Sequence, residues 1–303
     1  MRMSPRAPKP FQHPDRAFTV SEACGHGISR RRLRALDFDK PFHGIRVAAQ
    51  ELTFLDDLCR AFLPRMPQGA VFSHVTAAAL FRIPLPLRLS TSRELHVSVP
   101  ATRRAVDAKG IVGHKASLSG DDWDNRFGFA VTTPERTWCD LASLLTLPEL
   151  VAAGDKLIAR RLPQSSRAAL ERAVSIYPSR RGIRNLRRAL GLLSDRAESP
   201  RESLLRVAIV LAGLPEPTVN MRVFSAKGKF LARVDLCYPH LKLSLEYQGD
   251  HHRTDQRQWR KDITRTRALQ TDGWTELQYT QSDLDDPTRF LEELRVMLTR
   301  LAH

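Results

Sequence analysis

One stretch decides the fold of the last third of the chain: residues 230–248, which read FLARVDLCYPHLKLSLEYQ. Apolar and polar residues alternate on both sides of a proline, and this pattern predicts two antiparallel strands joined by a short loop. A two-residue loop at 240–241 leaves Asp235 and Glu246 at equal distances from its centre. The hairpin is therefore predicted to place these two carboxylates directly opposite each other.

Strand alternation divides this hairpin into a polar and an apolar face. The polar face is predicted to carry Arg233, Asp235, Cys237, Ser244, Glu246 and Gln248. The apolar face is predicted to carry Val234, Leu236, Leu243, Leu245 and Tyr247. A slip of one residue would bury the carboxylates, so burial of the apolar face should enforce the register.

Two opposed carboxylates destabilise a sheet unless positive charge offsets their repulsion. A divalent cation such as Mg²⁺ would supply that charge, because it prefers oxygen ligands. Arginines such as Arg222 or Arg233 would also supply it. The hairpin alone leaves both interpretations open.

The composition indicates a globular protein with a polyanionic partner. The chain has 303 residues, of which 42% are hydrophobic, so it is long enough for two domains or three small ones. The net charge of +15 favours nucleic acid as the partner, because lysine and arginine side chains displace counterions from phosphate backbones. An arginine-rich composition inherited from a GC-rich genome would give the same excess without any selection for binding.

The chain shows no sign of membrane insertion or export. It lacks an apolar run long enough for a transmembrane helix. The basic segment 1–16 has no apolar core of a secretory signal and is expected to be a disordered lead-in. The four cysteines show no CxxC spacing, which argues against a zinc ribbon or a disulfide framework and favours a cytoplasmic location.

Residues 17–65 are predicted to form a winged helix-turn-helix region. Ser21 can cap a short helix, a glycine-rich turn follows, and Ser29 can cap a basic helix over 30–36. A β-like stretch at 42–47 would be the wing. The predicted DNA-contacting side chains are Arg30, Arg31, Arg32 and Arg34. A small helical hairpin with a solvated basic face is the alternative interpretation.

Residues 66–195 are predicted to form a mixed α/β middle region. The predicted helices cover 74–81, 133–145 and 147–159, and the predicted strands cover 95–99, 111–115 and 129–132. This region contains His74, His96 and His114, whose spacing matches no compact metal-ligand motif. Hydrogen-bonded structural histidines are the expectation for them.

The main domain boundary is predicted at the polar stretch that ends in Ser199-Pro200. Residues 160–200 are interpreted as an arginine-rich hinge with a helix near 183–193. Residues 196–303 then form the last domain, with a helix after Pro200, a strand at 219–224 and the hairpin. The fold class expected for the whole chain is α+β or α/β.

Several ordered segments of the last domain resemble the PD-(D/E)XK nuclease superfamily. They are Ser199 to Leu205, Arg233-Val234-Asp235, Glu246 to His252, Trp259 to Arg265, Gly273-Trp274 and the strand 275–279. The closest resemblance is to an uncharacterised branch similar to the very short patch repair endonuclease. The basic N-terminal region and the stretch Val71 to Ala78 resemble the AbiEi-type antitoxins that carry such a domain.

The nuclease resemblance implies a restriction-endonuclease-like mixed sheet flanked by helices, with Asp235 and Glu246 as ligands of Mg²⁺ or Mn²⁺. Glu202 would be the additional acidic residue that holds a water or a second ion. Gln248 occupies the position where the superfamily has lysine. It can donate a hydrogen bond but carries no charge, which puts activity in doubt more than fold.

Other residues near the expected site are basic. His251 and His252 are candidates for the general base or for phosphate contacts, with a polar loop as the alternative. Arg260 and Arg265 are expected to contact nucleic acid from a helix beside the site. The expected function is a DNA-binding, metal-dependent endonuclease. The alternative is a non-catalytic transcriptional regulator or antitoxin-like protein with a degenerate nuclease fold, and a toxin or repair protein is a conceivable partner.

Overall fold

The computed structural model describes residues 17–36, 38–48, 52–248 and 256–302, without the side chains of 256–263. The predictions for segment 1–16, for His251 and His252 and for the side chain of Arg260 lie outside the described residues. The chain is an α+β protein with two compact units, Met1–Asp140 and Leu141–His303. Within the described ranges, every helix is too short or too polar to cross a lipid bilayer.

The first unit begins with a three-stranded sheet in the order β1-β3-β2. Its elements are β1 (Phe18–Thr19), α1 (Val20–Gly25), β2 (Phe38–Asp39) and β3 (Ile45–Ala48). Thr19 caps α1, because its Oγ1 accepts a hydrogen bond of 3.0 Å from the Glu22 amide. The predicted short helix is present, but its cap is Thr19 and not the predicted Ser21. Of the β-like stretch predicted at 42–47, only the part from Ile45 onward is a strand.

The predicted basic helix over 30–36 is wrong. The chain forms only a 3-10 turn at Arg32–Arg34, and Ala35 is already extended. Ser29 still caps this turn, since its Oγ accepts from the Arg32 amide at 3.2 Å. A longer helix is not stabilised, because Leu33 is the one buried apolar side chain of this segment and Leu36 is fully exposed. The described region consequently has no recognition helix of winged helix-turn-helix length.

The rest of the first unit is built on a six-stranded sheet in the order β6-β7-β5-β4-β9-β8. Its strands are β4 (Val71–Phe72), β5 (Leu95–Pro100), β6 (Asp107–Ala108), β7 (Ile111–Ala116), β8 (Trp123–Arg126) and β9 (Phe129–Thr132). Its helices are α2 (Leu55–Phe62), α3 (His74–Leu80), α4 (Leu87–Ser90) and α5 (Pro134–Leu141). The predicted strands β5, β7 and β9 and the predicted helix α3 are confirmed. Helix α5 ends four residues before the predicted end at 145.

The second unit combines helices with a four-stranded sheet in the order β10-β11-β12-β13. Its strands are β10 (Thr218–Phe224), β11 (Phe230–Tyr238), β12 (Leu243–Tyr247) and β13 (Thr275–Tyr279). Its helices are α6 (Leu147–Ile158), α7 (Arg167–Ile176), α8 (Ile183–Leu192), α9 (Pro200–Leu211), α10 (Gln256–Thr271), α11 (Gln281–Asp285) and α12 (Thr288–Leu301). Strands β12 and β13 are parallel and the other pairs are antiparallel, so the sheet is mixed, as predicted.

A buried ion pair explains why the compact units divide at Asp140 rather than near the predicted boundary at 195. Arg206 of α9 is almost fully buried, and its Nη2 donates to Asp155 of α6 at 2.9 Å and to the Leu192 carbonyl at 2.7 Å. Ser203 also donates to Asp155, at 2.7 Å. These bonds tie α6 and the end of α8 to α9, so the expected hinge is part of the second unit.

Candidate functional site

The hairpin of β11 and β12 has the predicted register. Leu236 pairs with Leu245 and Tyr238 with Leu243. Continued by one step past the last paired residues, this register places Asp235 opposite Glu246, and the neighbouring Tyr247 amide donates a hydrogen bond to Asp235. The predicted two-residue loop is wrong, because a 3-10 turn at Pro239–Leu241 is followed by Lys242 in a left-handed conformation with φ of 47°. The longer connection has the same centre as the predicted loop, so the pairing is unchanged.

The predicted separation into a polar and an apolar face is wrong for two residues. Cys237 is fully buried, and Val234 shares a core cluster with Cys237, Leu269 and Trp274 instead of packing with Leu236. Leu236 belongs to a second cluster, which includes side chains from α9 and α12. The strand contributes to two separate cores. Ser244 and Glu246 of the predicted polar face are buried as well, so the expectation that the register keeps the carboxylates out of the core is wrong for Glu246.

Strand alternation breaks at Asp235 and at Asn220, its neighbour in β10. The β10–β11 ladder pairs Val219 with Leu236 and Met221 with Val234, but it omits the residues between them. Asn220 has a left-handed φ of 51°, which is uncommon for a residue with a side chain. Such irregularities in a sheet redirect side chains. This one lies beside Asp235, which together with Glu202 and Glu246 forms the carboxylate cluster described next.

Glu202 is held in place at the start of α9. The Oγ of Ser199 caps the helix by accepting from the Glu202 amide at 3.2 Å. The Glu202 side chain is 5% exposed, and its Oε2 accepts from the Glu198 amide at 2.9 Å and from Asn220 Nδ2. Burial raises the pKa of Glu202, and the negative charge of Asp235 raises it further.

Glu246 is the most perturbed carboxylate of the cluster. It is 5% exposed and forms an ion pair with Arg265 of α10 through Oε2. Its Oε1 is buried without a hydrogen-bond partner among the described residues. Burial, with a further contribution from the charge of Asp235, raises the pKa of Glu246 to about 7, although Arg265 opposes this shift. One arginine therefore only partly neutralises the pair.

Asp235 completes the pair. It is half-buried, and burial raises its pKa while Arg265 and a hydrogen bond from the Tyr247 amide lower it. Arg233 forms a two-pronged ion pair with Glu198 at 2.7 Å, and its charge lowers the pKa of Asp235 less than the charge of Arg265 does. Arg222 lies elsewhere, over the rings of Phe224 and Phe230.

The donor set fits a hard divalent cation bound by two carboxylates. Mg²⁺ is commonly held by one or two carboxylates, with water and phosphate oxygens completing its shell. Asp235 and Glu246 match this pattern, and the partnerless Oε1 of Glu246 is an available ligand atom. Among the described residues, the ligand atoms of Glu202, Asp235 and Glu246 do not all lie within 4.8 Å of one another, so the three carboxylates do not form one ligand shell.

Gln248 lies immediately after β12 at the exposed end of the strand. Its backbone amide donates to the Tyr279 carbonyl at 2.7 Å, which extends the parallel pairing of β12 and β13. The neutralising role of Arg265 and the positioning role of Asn220 were not predicted. Asn220 and Arg265 are distant in sequence from the carboxylates they contact. No local pattern marks Asn220, and the role predicted for Arg265 was a contact to nucleic acid.

The basic N-terminal residues line a groove in the first unit. The groove has a volume of about 2090 Å³, and the cationic side chains that line it are Arg30, Arg34, Lys40, Arg46, Arg65, Arg93 and Lys109. Asp39 and Glu94 are the acidic residues of its wall. The other two predicted contact residues are Arg31 and Arg32. Arg31 is exposed at the start of the 3-10 turn, and Arg32 lies over the Phe38 ring at 4.8 Å. The basic surface exists without the helix that was expected to present it.

Comparisons with known proteins leave the family open. No protein-family model matches the chain. The uncharacterized proteins MT2308 and Rv2248 of two Mycobacterium tuberculosis strains are each 32% identical to it over 148 residues, which is 49% of this chain and 54% of each relative. The chain thus spans about half the length of the curated relatives it matches. A crystal structure of the Rv2827c protein from Mycobacterium tuberculosis covers 69% of this chain and 84% of its own, at 16% identity and a TM-score of 0.40.

Proposed function

We propose that the second unit binds DNA and hydrolyses phosphodiester bonds with a Mg²⁺ or Mn²⁺ ion held by Asp235 and Glu246. The observation that carries this proposal is Glu246 Oε1, which is buried and has no hydrogen-bond partner in the described part of the chain. Leaving a charged acceptor buried without a partner is costly. A cation at this position would remove that cost and would also offset the repulsion between the two carboxylates.

The side chains around the pair support hydrolysis of a phosphodiester. A bound divalent ion would polarise the phosphate and lower the pKa of a coordinated water. Asp235 and Glu246 would hold that ion, and Glu202 would add negative charge next to Asp235. Gln248 would donate a hydrogen bond to a phosphate oxygen from the exposed end of β12. It would do so without the charge that a lysine supplies.

The charge distribution supports a polyanionic substrate. The net charge is +15, and Arg265 is positioned against the carboxylate pair itself. In the first unit, Arg30 and Arg34 line the basic groove. Arginine contacts to backbone phosphates position a duplex without reading its sequence. The proposal therefore extends to DNA binding by both units and makes no claim about sequence specificity.

A nicking assay tests this proposal. Supercoiled plasmid incubated with the protein and Mg²⁺ or Mn²⁺ should be nicked, and Asp235→Asn and Glu246→Gln should each lower the rate by about 10³-fold, the effect of losing several kcal/mol of charge stabilisation. Glu292→Gln is the matched control, because Glu292 is an exposed carboxylate on α12 of the same unit. A wild-type protein that binds plasmid but never nicks it, or nicking that survives both site variants, would refute the proposal.

The ion pair between Arg265 and Glu246 favours a second candidate function. If this arginine is the permanent cation of the cluster, the sheet serves binding alone and the protein is a DNA-binding regulator or antitoxin-like module. Glu246→Gln would then leave DNA affinity unchanged, and adding Mg²⁺ would not change the DNA affinity of the wild type. Electrophoretic mobility shifts of the wild type and of Glu246→Gln, measured with and without Mg²⁺, distinguish the two candidates.

A further inference from the structure

Three histidines that are far apart in sequence meet in the first unit. His74 begins α3, His96 lies on β5 and His114 lies on β7. Because β5 and β7 are parallel, with His96 opposite Val112 and Ser98 opposite His114, the two strand histidines share one face of the sheet. One ligand atom of each histidine lies within 4.8 Å of the other two.

The three histidines are hydrogen-bonded, as the sequence predicts, and the bond between His96 and His114 joins two ring nitrogens. His114 Nε2 and His96 Nδ1 are 3.0 Å apart. Two zinc–nitrogen bonds at a tetrahedral angle would hold their nitrogens about 3.3 Å apart, so these two nitrogens already have nearly the spacing of two ligands of one ion. The His74 ring stacks on the His114 ring with centroids 3.7 Å apart and an interplanar angle of 9°. Because an imidazole nitrogen binds a metal in the plane of its ring, one of these two rings must rotate before both can bind the same ion.

His74 has an oriented ring and an unusual backbone. Its Nδ1 lies 2.9 Å from the Oγ of Ser73, and Ser73 in turn bonds to Ser98 at 2.7 Å. Metal-bound histidines commonly have one ring nitrogen fixed in this way, which leaves the other for the ion. His74 also has a left-handed φ of 48°. Such strained conformations cluster at functional sites, because the surroundings must hold them.

The charges around the cluster are compatible with a cation. His74 and His96 are 9% and 7% exposed, and burial lowers the pKa of all three histidines, that of His96 to about 4. Their imidazoles are therefore neutral at pH 7 and can act as ligands. The nearby positive charge of Arg136 is offset by Asp140 at 3.0 Å and Asp122 at 3.1 Å.

We propose that His74, His96 and His114 bind one transition-metal dication of the Zn²⁺ type, with a fourth coordination position left to solvent or to a small ligand. Imidazole nitrogens suit zinc, cobalt, nickel and copper and do not suit Mg²⁺. Three protein ligands with one open position are typical of zinc sites that activate water or bind a substrate. The site lies in the first unit and is independent of the carboxylate pair.

Titration of the full chain with Zn²⁺ alone, followed by calorimetry, tests this proposal. One ion should bind per chain, and His96→Ala and His114→Gln should each weaken binding by about 10²-fold or more. His26→Ala is the matched control, because His26 is an exposed histidine of the same unit, and it should bind as the wild type does. Circular dichroism of each variant identifies one that fails to fold, and His114, being half-buried, is the more tolerant position.

The wild type with Co²⁺ gives an answer that needs no variant. Co²⁺ at three imidazoles and one solvent ligand should show the intense visible bands of a tetrahedral site without a thiolate charge-transfer band. The absence of stoichiometric Zn²⁺ binding, equal weakening by His26→Ala, or a thiolate band from one of the four cysteines would overturn the proposal.

Discussion

The histidine cluster of the first unit (His74, His96 and His114) and the carboxylate cluster of the second unit (Glu202, Asp235 and Glu246) are both largely buried, but burial shifts their ionisation in opposite directions. Burial lowers the pKa of His96 to about 4, so the histidines are neutral at pH 7. Burial and repulsion by Asp235 raise the pKa of Glu246 to about 7, so Glu246 is about half ionised at the same pH. The histidine cluster therefore offers neutral nitrogen lone pairs to a ligand. The carboxylate cluster carries negative charge that its arginines only partly neutralise.

The two clusters should respond to pH with opposite signs. His96 has an ordinary pKa of 6.5 in the unfolded chain and about 4 in the folded chain. The unfolded state therefore takes up a proton that the native state refuses, and stability present above pH 6.5 is lost as the pH falls towards 4, by about 3 kcal/mol. Denaturant unfolding with a chelator at pH 7 and at pH 4.5 should show a smaller loss in His96→Gln than in the wild type. An equal loss in both proteins would contradict this assignment.

Glu246 should contribute the opposite dependence. Its pKa is 4.5 in the unfolded chain and about 7 in the folded chain. The native state therefore holds a proton that the unfolded state releases. The stability from this group is complete below pH 4.5 and is lost as the pH rises through 7, again by about 3 kcal/mol. Unfolding at pH 5 and at pH 8 should show a smaller loss in Glu246→Gln than in the wild type, because Asp235 and Glu202, whose pKa values are also raised, remain in the variant. Glu292→Gln should behave as the wild type does.

Removing the arginine that pairs with Glu246 sharpens the comparison. Arg265→Gln leaves Glu246 buried without its ion-pair partner. We expect a loss of about 1–3 kcal/mol at pH 8, the cost of an unsatisfied buried group. Millimolar Mg²⁺ should restore part of this loss if Asp235 and Glu246 bind the ion, and Zn²⁺ binding at the histidines should be unaffected. No rescue by Mg²⁺ would favour the non-catalytic alternative.

Two serines at helix starts give the smallest expected effects. Ser199 caps α9, so Ser199→Ala should cost about 1 kcal/mol of stability without changing Zn²⁺ affinity. Ser73 occupies the corresponding position of α3, but its Oγ bonds to His74 and Ser98 and not to the helix backbone. Ser73→Ala should therefore weaken Zn²⁺ binding by about tenfold. Calorimetry measures the Zn²⁺ affinity of both variants, and thermal melts measure their stability. Weaker Zn²⁺ binding by Ser199→Ala, or unchanged Zn²⁺ binding by Ser73→Ala, would show that these assignments are wrong.

The carboxylate pair could be predicted from the sequence, and the histidine cluster could not. The pairing of Asp235 with Glu246 depends on a local hairpin, and any loop centred between 240 and 241 gives the same register. The meeting of His96 and His114 depends on the parallel pairing of β5 and β7, which local patterns do not reveal. The spacing of the histidines therefore appeared unlike a ligand motif, although the folded chain brings them together.

Long-range ion pairs account for the remaining differences. The predicted boundary near 195 missed the buried pair of Arg206 with Asp155, whose residues are 51 positions apart. The predicted neutralisers Arg222 and Arg233 are engaged elsewhere, and Arg265 fills that role from α10. The charge and periodicity of the sequence identify which residues can form ion pairs. They do not determine which two residues pair in the folded chain.

Calorimetric titration of Mg²⁺ into the wild type and into Glu246→Gln tests the central claim most directly, namely that Asp235 and Glu246 form a cation site. The measurement belongs at pH 8, where Glu246 is ionised, because its pKa is about 7. The account predicts saturable binding to the wild type and to Glu292→Gln, and none to Glu246→Gln. Absence of binding to the wild type, or equal binding to Glu246→Gln, would contradict it.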